Sequence, residues 1–259
     1  MLHLSFFKYQ GAGNDFIIID NRSKSVSLST EQIRNMCDRH FGIGADGLML
    51  LELCDEADFK MMYYNADGNE STMCGNGGRC IAAFAQRLNI VSDTMKFMAI
   101  DGLHHAAILP DGNIALQMQD VQKIHFHADF TELNTGSPHY VKAVTDLAHI
   151  DVQQEGAAIR HQSHYEPKGI NVNFYHIIDG ELHVRTYERG VEAETLACGT
   201  GVTAVAITNT DSATGNFSIP VNTRGGRLRV SFLKKTSFSA EDIQLTGPAQ
   251  FVFEGKISV

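Results

Sequence analysis

Residues 73–87 read MCGNGGRCIAAFAQR and residues 197–210 read ACGTGVTAVAITNT. In each, a cysteine precedes Gly-x-Gly, and the apolar run behind it has the composition of a buried helix. Outward from the first copy, HLSFFKYQ (3–10), FIIID (16–20), GLMLLEL (47–53) and FKMMYYN (59–65) read as strands. After it, TMKFMAI (94–100), HHAAIL (104–109) and IALQMQD (114–120) continue the pattern, with Pro110, Asp111, Gly112 and Asn113 making the last hairpin turn. Outward from the second copy, HYVKAV (139–144), INVNFYHII (170–178) and ELHVRTYE (181–188) precede it, the last two joined by Asp179 and Gly180. FSIPV (217–221) and RLRVSFL (227–233) follow it. Ser29 and Gln32 form a capping-box pair before a short helix, and a further helix is expected near VQQEGAAIR (152–160). One plan is used twice, which predicts an α+β chain of two pseudo-symmetric domains, antiparallel strands around a buried helix in each, with the active site in the cleft between them. The expected boundaries are residues 1–119 with a return strand at about 248–259, and residues 120–247.

The chain has 259 residues, of which 43% are hydrophobic and 20% charged, the balance of a globular protein. Its formal net charge is −9 and its longest basic run is Lys234-Lys235, so nucleic acid is not the expected partner; a small molecule is. No stretch has the length of a membrane span and the first residues lack the pattern of a signal peptide, which predicts a cytoplasmic protein with no membrane partner. Five cysteines without a CxxC pair, and twelve histidines without HExxH, argue against a disulfide framework and against a metal site. Free thiols remain.

A cysteine at the start of a helix meets unpaired backbone N–H groups and the positive end of the helix dipole, which can bring a thiol from a pKa of ~8.5 to roughly 7 or below. The bare glycines allow a carboxylate to approach those N–H groups. Two such elements facing one space would hold an amino acid by its carboxylate. The expected chemistry is then removal of the α-proton by one thiolate and delivery of a proton to the opposite face by the other thiol, with Cys74 and Cys198 in those roles. Backbone N–H groups on the carboxylate would stabilise the carbanion. Cys80 is expected in the core, and Cys37 and Cys54 are expected to be structural. No pyridoxal-phosphate lysine or nicotinamide fingerprint is evident, since GAGNDF (11–16) has the wrong glycine spacing.

KYQGAGNDF, FGIGADG, YNADGNESTMCGNGGRC, GSPHYV, INVNF and YERGVEAETLACGTG occur in that order over nearly the whole chain. Together they resemble the diaminopimelate epimerase family. The resemblance implies interconversion of LL- and meso-diaminopimelate on the way to lysine and, in many bacteria, to peptidoglycan, without a cofactor and as a homodimer. It implies that Cys74 and Cys198 are the acid and base, and that Gly75, Asn76, Gly199 and Thr200 bind the carboxylate at the reacting centre. Asn14, Asn65, Asn171, Glu188 and Arg189 would hold the rest of the substrate, and His139 and Glu188 would adjust the protonation of the cysteines. Arg189 suits a carboxylate because its planar fork binds in two places. Two positions depart from the family pattern: Gly47 stands where many members have Gln, and Ser137 where they have Asn, both associated with substrate contact. A glycine cannot supply an amide, so another residue, water or a different loop path has to; serine remains polar. A two-cysteine racemase of another amino acid, such as proline or hydroxyproline, and a non-catalytic binding protein of the same fold are the competing readings. Glu188, Arg189 and Asn171 speak against the first and the two intact cysteine motifs against the second.

Overall fold

The structure is a computed structural model that describes residues 3–210 and 213–259. The chain divides into two compact units, Met1–Leu116 with Gly247–Val259, and Gln117–Thr246.

The first unit contains β1 (His3–Gly11), β2 (Asn14–Asp20), α1 (Thr30–Cys37), β3 (Gly47–Glu52), β4 (Phe59–Asn65), α2 (Gly75–Arg87), β5 (Thr94–Ala99), β6 (Gly102–Ile108) and β7 (Ile114–Gln117). The second contains β8 (Ile124–Phe126), β9 (Thr131–Asn134), β10 (Pro138–Ala143), α3 (Val152–Arg160), β11 (Asn171–Ile178), β12 (Glu181–Glu188), β13 (Ala193–Thr195), α4 (Gly199–Thr208), β14 (Gly215–Thr223), β15 (Gly226–Thr236) and β16 (Ser239–Gly247). The last strand, β17 (Gln250–Ser258), pairs antiparallel with β1 from His3↔Ser258 onward.

Strand pairing shows the duplication directly. In the first unit the hairpin β1–β2 joins β3 in parallel, β3–β4 is a hairpin, β4 joins β5 in parallel, and β5–β6–β7 is a meander. In the second unit β9–β10, β11–β12 and β14–β15–β16 repeat that series, with parallel joins from β10 to β11 and from β12 to β14. Each parallel join needs a crossover, and a helix lies in the chain at each one: α1 and α2, then α3 and α4. The α+β class expected from the sequence is present, and these parallel joins are an addition to its hairpins.

Local chemistry explains the turns. Ala12 and Gly13 between β1 and β2 have φ of 53° and 82°, and Asp179 and Gly180 between β11 and β12 have 52° and 78°, the left-handed pair that a two-residue hairpin requires. At α1 the Ser29 side chain accepts from the Gln32 N–H while the Gln32 side chain accepts from the Ser29 N–H. The core of the first unit runs through α2, where Cys80, Ile81, Ala82, Phe84 and Ala85 are wholly buried. In α4 the run Val202–Ile207 is buried on every side, and its one hydroxyl, Thr203 Oγ1, donates back to Gly199 O at 2.9 Å.

Candidate active site

Cys74 is the N-cap of α2, with an extended backbone (φ −102°, ψ 145°), and its Sγ accepts the Gly77 N–H at 3.2 Å. The sulfur takes the place that a serine or aspartate oxygen occupies at other helix starts. The Cys74 thiol lies 3.8 Å from Asn14 Oδ1, which also accepts from Asn76 Nδ2 at 3.3 Å. Asn14 Nδ2 in turn donates to Asp46. Arg39 bridges Asp46 and Asp15, at 2.7 Å from each, and Lys8 reaches Asp15 at 2.8 Å. Burial opposes the Asp15 charge, yet the hydrogen bonds from Arg39 and Lys8 prevail and hold its carboxyl down at about 2. This ion network fixes the β1–β2 turn and so fixes Asn14.

One residue of this region was not singled out in the sequence. Arg79 is fully buried in the first turns of α2; Nη1 donates to Gly75 O at 3.1 Å, Nη2 to Asn76 Oδ1 at 3.0 Å and Nε to Pro248 O at 3.4 Å. Burial lowers its pKa, but a guanidinium stays protonated, and Cys74 and Cys80 are the groups whose charge acts back on it. A desolvated cation therefore stands behind Cys74 and orients the Asn76 amide. The signal in the sequence was an arginine inside an otherwise apolar helical run.

In the second unit Cys198 is the N-cap of α4 (φ −107°, ψ 112°) and is 6% exposed. Its side chain makes no capping bond; Sγ lies 3.4 Å from Thr200 Oγ1. Thr135 Oγ1 donates to the Thr200 carbonyl at 2.9 Å. The parallel register His139↔Asn171 of β10 and β11, with β12 alongside, gathers five more of the expected residues. Asn171 Nδ2 donates to Ser137 Oγ at 2.8 Å, Arg189 Nη2 donates to the same oxygen at 3.1 Å, and the Arg189 N–H donates to Asn171 Oδ1 at 2.9 Å. Ser137 thus has both lone pairs engaged and only its hydroxyl hydrogen to offer. Glu188, half-buried, accepts from Thr195 Oγ1 at 2.8 Å. His139 is wholly buried, and burial, reinforced by the Arg189 charge, pushes its pKa down to about 3. A cavity of about 540 Å³ opens beside His139 and Pro138 with Glu132 and Tyr165 on its wall; neither cysteine lines it.

The sequence model for "Diaminopimelate epimerase" matches residues 6–124 and 131–252. The diaminopimelate epimerase of Flavobacterium psychrophilum is 51% identical over 257 residues, covering 98% of this chain and 100% of that protein. That of Chlorobaculum tepidum is 42% identical, covering 96% and 99%. The chain belongs to the diaminopimelate epimerase family. Among solved structures, a Bacillus anthracis protein of the PhzF family superposes with a TM-score of 0.79 at 14% identity, with 100% of each chain covered. A hydroxyproline epimerase from Agrobacterium vitis superposes with 0.74 at 14% identity, covering 98% and 92%. At that identity these two establish a common fold and nothing finer.

Within the diaminopimelate epimerase family pattern, Gly47 now has a physical explanation. It is buried in β3 opposite Asn65 of β4, and a Cβ built on it would come within 2.6 Å of Tyr64 O and 2.7 Å of Tyr63 Cε2. There is no path for a side chain at 47, so Gly47 offers a ligand backbone only. The Tyr63 ring occupies that space, with its hydroxyl 3.1 Å from the same point. Asn65 ends β4 and is exposed. Among the described residues no cluster of metal-ligating groups occurs, and no helix is long and apolar enough to cross a membrane.

Proposed function

We infer that this protein epimerises diaminopimelate between its LL and meso forms, a step of lysine biosynthesis, and that Cys74 and Cys198 are the acid and base that do it. The observation that carries the two-thiol assignment is the equivalence of the two helix starts: both cysteines are N-caps, each followed by Gly-x-Gly in the first helical turn. First-turn N–H groups have no carbonyl four residues back and carry the positive end of the helix dipole. Gly75 and Asn76, with Gly199 and Thr200, are thereby suited to hold the carboxylate of the reacting centre. As the α-proton leaves, charge moves onto that carboxylate, where a donor already in place is worth about 3 kcal/mol. One sulfur takes the proton as a thiolate; the other gives one from the opposite face; the carbon inverts and the two sulfurs exchange states. The reverse reaction runs the same way with roles exchanged.

Diaminopimelate carries a second amino-acid end, and the polar sets give it partners. Arg189, steered by Ser137 and Asn171, clamps its carboxylate, while Glu188, Asn65 and Asn14 receive its ammonium and neighbouring groups. A proline or hydroxyproline substrate has no such second end, and the Ser137, Asn171 and Arg189 set would then have nothing to bind. The reading calls on no cofactor and no metal. We place the enzyme in the cytoplasm as a homodimer, with its product also feeding peptidoglycan. Phe251, Val252 and Phe253 of β17 are all exposed, with Phe253 against Phe6 on one face of the sheet and Phe251 against Tyr9 on the other, and the strand that carries them is the edge a second copy would cover.

Incubation with LL-diaminopimelate, proline and hydroxyproline in deuterated water tests the reading. Deuterium should enter the α-position of diaminopimelate alone, with inversion, and Cys74→Ser and Cys198→Ser should each abolish inversion. Exchange into proline, or undiminished inversion in either variant, would overturn it. Sedimentation of the wild type against Phe251→Ser/Phe253→Ser tests the dimer.

A further inference from the structure

His139 sits in the second unit with both ring nitrogens out of contact with water, and its surroundings allow the position of its proton to be read. Asn173 of β11 is likewise fully buried. One end of its amide lies 3.0 Å from the carbonyl oxygen of Tyr140. A carbonyl can only accept, so that end is the NH2 group. The same nitrogen lies 3.1 Å from His139 Nδ1. An amide NH2 can only donate, so Nδ1 must present a lone pair. The neutral ring then carries its hydrogen on Nε2.

The Tyr140 carbonyl decides the orientation, and the other end of the amide is compatible with it. Oδ1 accepts from Thr186 Oγ1 at 3.0 Å, across the β11–β12 pair Asn173↔Thr186. It also lies against the first turn of α4, where a Cβ on Gly201 would come within 2.2 Å of it. Turning the amide over would set its oxygen against the Tyr140 oxygen, so the arrangement has one stable sense. A second proton on the ring would have to displace the Asn173 NH2 from Nδ1. The Arg189 cation and complete burial oppose it as well. Nε2 itself is buried and makes no hydrogen bond with a described residue.

We infer that Asn173, held by Thr186 and by the Tyr140 carbonyl, is a positioning residue that fixes His139 as the Nε2–H tautomer, so that His139 enters the reaction as a hydrogen-bond donor and not as a base. The catalytic role of His139 rests on the epimerase reading; the tautomer is a property of the second unit. An Nε2–H aimed at a sulfur or a carboxylate steadies negative charge as it develops, whereas an imidazole with a lone pair there would repel it.

The test is nitrogen–proton correlation spectroscopy of the full-length protein labelled at histidine, without substrate, with the His139 signals identified by their loss in His139→Gln. Wild type should show a neutral ring protonated at Nε2. Asn173→Ala, which removes the lock without adding charge, should populate the Nδ1–H form and lower kcat by ~100-fold, the range of a misplaced proton-handling group, with a much smaller change in KM. A wild-type ring protonated at Nδ1 would overturn the inference even if no variant folds. So would an Asn173→Ala protein with unchanged tautomer and turnover. The spectrum needs no turnover, so its outcome is separate from the deuterium-exchange test of the epimerase reading.

Discussion

Gly77 and Gly201 are the third residues of α2 and α4, and replacing each by alanine should move stability in opposite directions. In a helix, alanine is favoured over glycine by about 1 kcal/mol. At Gly77 the added Cβ would meet Cys74 Sγ at 3.4 Å and Met49 Sδ and Phe16 Cζ at 3.5 Å, ordinary contact distances, so the gain should survive. At Gly201 the Cβ would fall 2.2 Å from Asn173 Oδ1, and the amide must leave. Three buried hydrogen bonds go with it: those to Tyr140 O and His139 Nδ1, and the one from Thr186 Oγ1. At roughly 1 kcal/mol each, with a further 1–3 kcal/mol for buried groups left without partners, the loss exceeds the helix gain by about 3–5 kcal/mol. For a chain of this size about 2–4 °C accompanies each kcal/mol. Calorimetry should therefore show Gly77→Ala melting slightly above wild type and Gly201→Ala ~6–20 °C below it. A Gly201→Ala protein as stable as wild type would refute the packing of Asn173 on α4.

His139 titrates at about 3 in the folded protein against an ordinary 6.5, so between those values the unfolded chain binds a proton that the folded one does not. Its contribution to stability is complete above pH 6.5 and is lost as pH falls toward 3; urea unfolding should show a shallower acid decline for His139→Gln, and an identical slope would contradict the buried neutral ring. Burial raises the Cys37 thiol to about 12 and the Cys80 thiol higher still, so iodoacetamide at pH 8 should leave both unmodified until the protein unfolds, as peptide mapping would reveal. Arg79→Lys offers one ammonium to acceptors now served by a fork; about 2–3 kcal/mol of stability should be lost, and alkylation of Cys74 should slow because the cation behind it has moved. Arg189→Lys should raise KM for diaminopimelate by about tenfold or more with a smaller effect on kcat, and an unchanged KM would remove Arg189 from substrate binding.

The elements that speak loudest in the sequence were the ones with local causes. Ser29 and Gln32 cap α1 as their spacing requires, and Asp179-Gly180 turns the β11–β12 hairpin because both positions need positive φ. The start of α2 was harder to place. Glycine disfavours helix, so CGNGG taken alone reads as a bend; the helix nevertheless begins at Gly75 because burial of its bare first turn outweighs propensity. The short β8, β9 and β13 have three, four and three residues, too few to show an alternating pattern. The parallel joins were invisible since pairing partners lie beyond the reach of local spacing. At the site, the cysteines and glycines were legible as a repeated motif, while Arg79, Asn173 and Tyr63 were not. Their parts depend on what burial places next to them: carbonyl oxygens for Arg79, a ring nitrogen for Asn173, and the empty side of a glycine for Tyr63.

The pairing of β17 with β1 also sets an order of assembly. Synthesis proceeds from the amino end, yet β1, made long before its partner β17, keeps an open edge until residues 250–258 emerge. The intervening unit, Gln117–Thr246, has all its own strands before that moment and can settle first. A ribosome stalled shortly before β17 would therefore present a finished second unit beside an incomplete first one, whose exposed backbone is a template for sticking to other nascent chains.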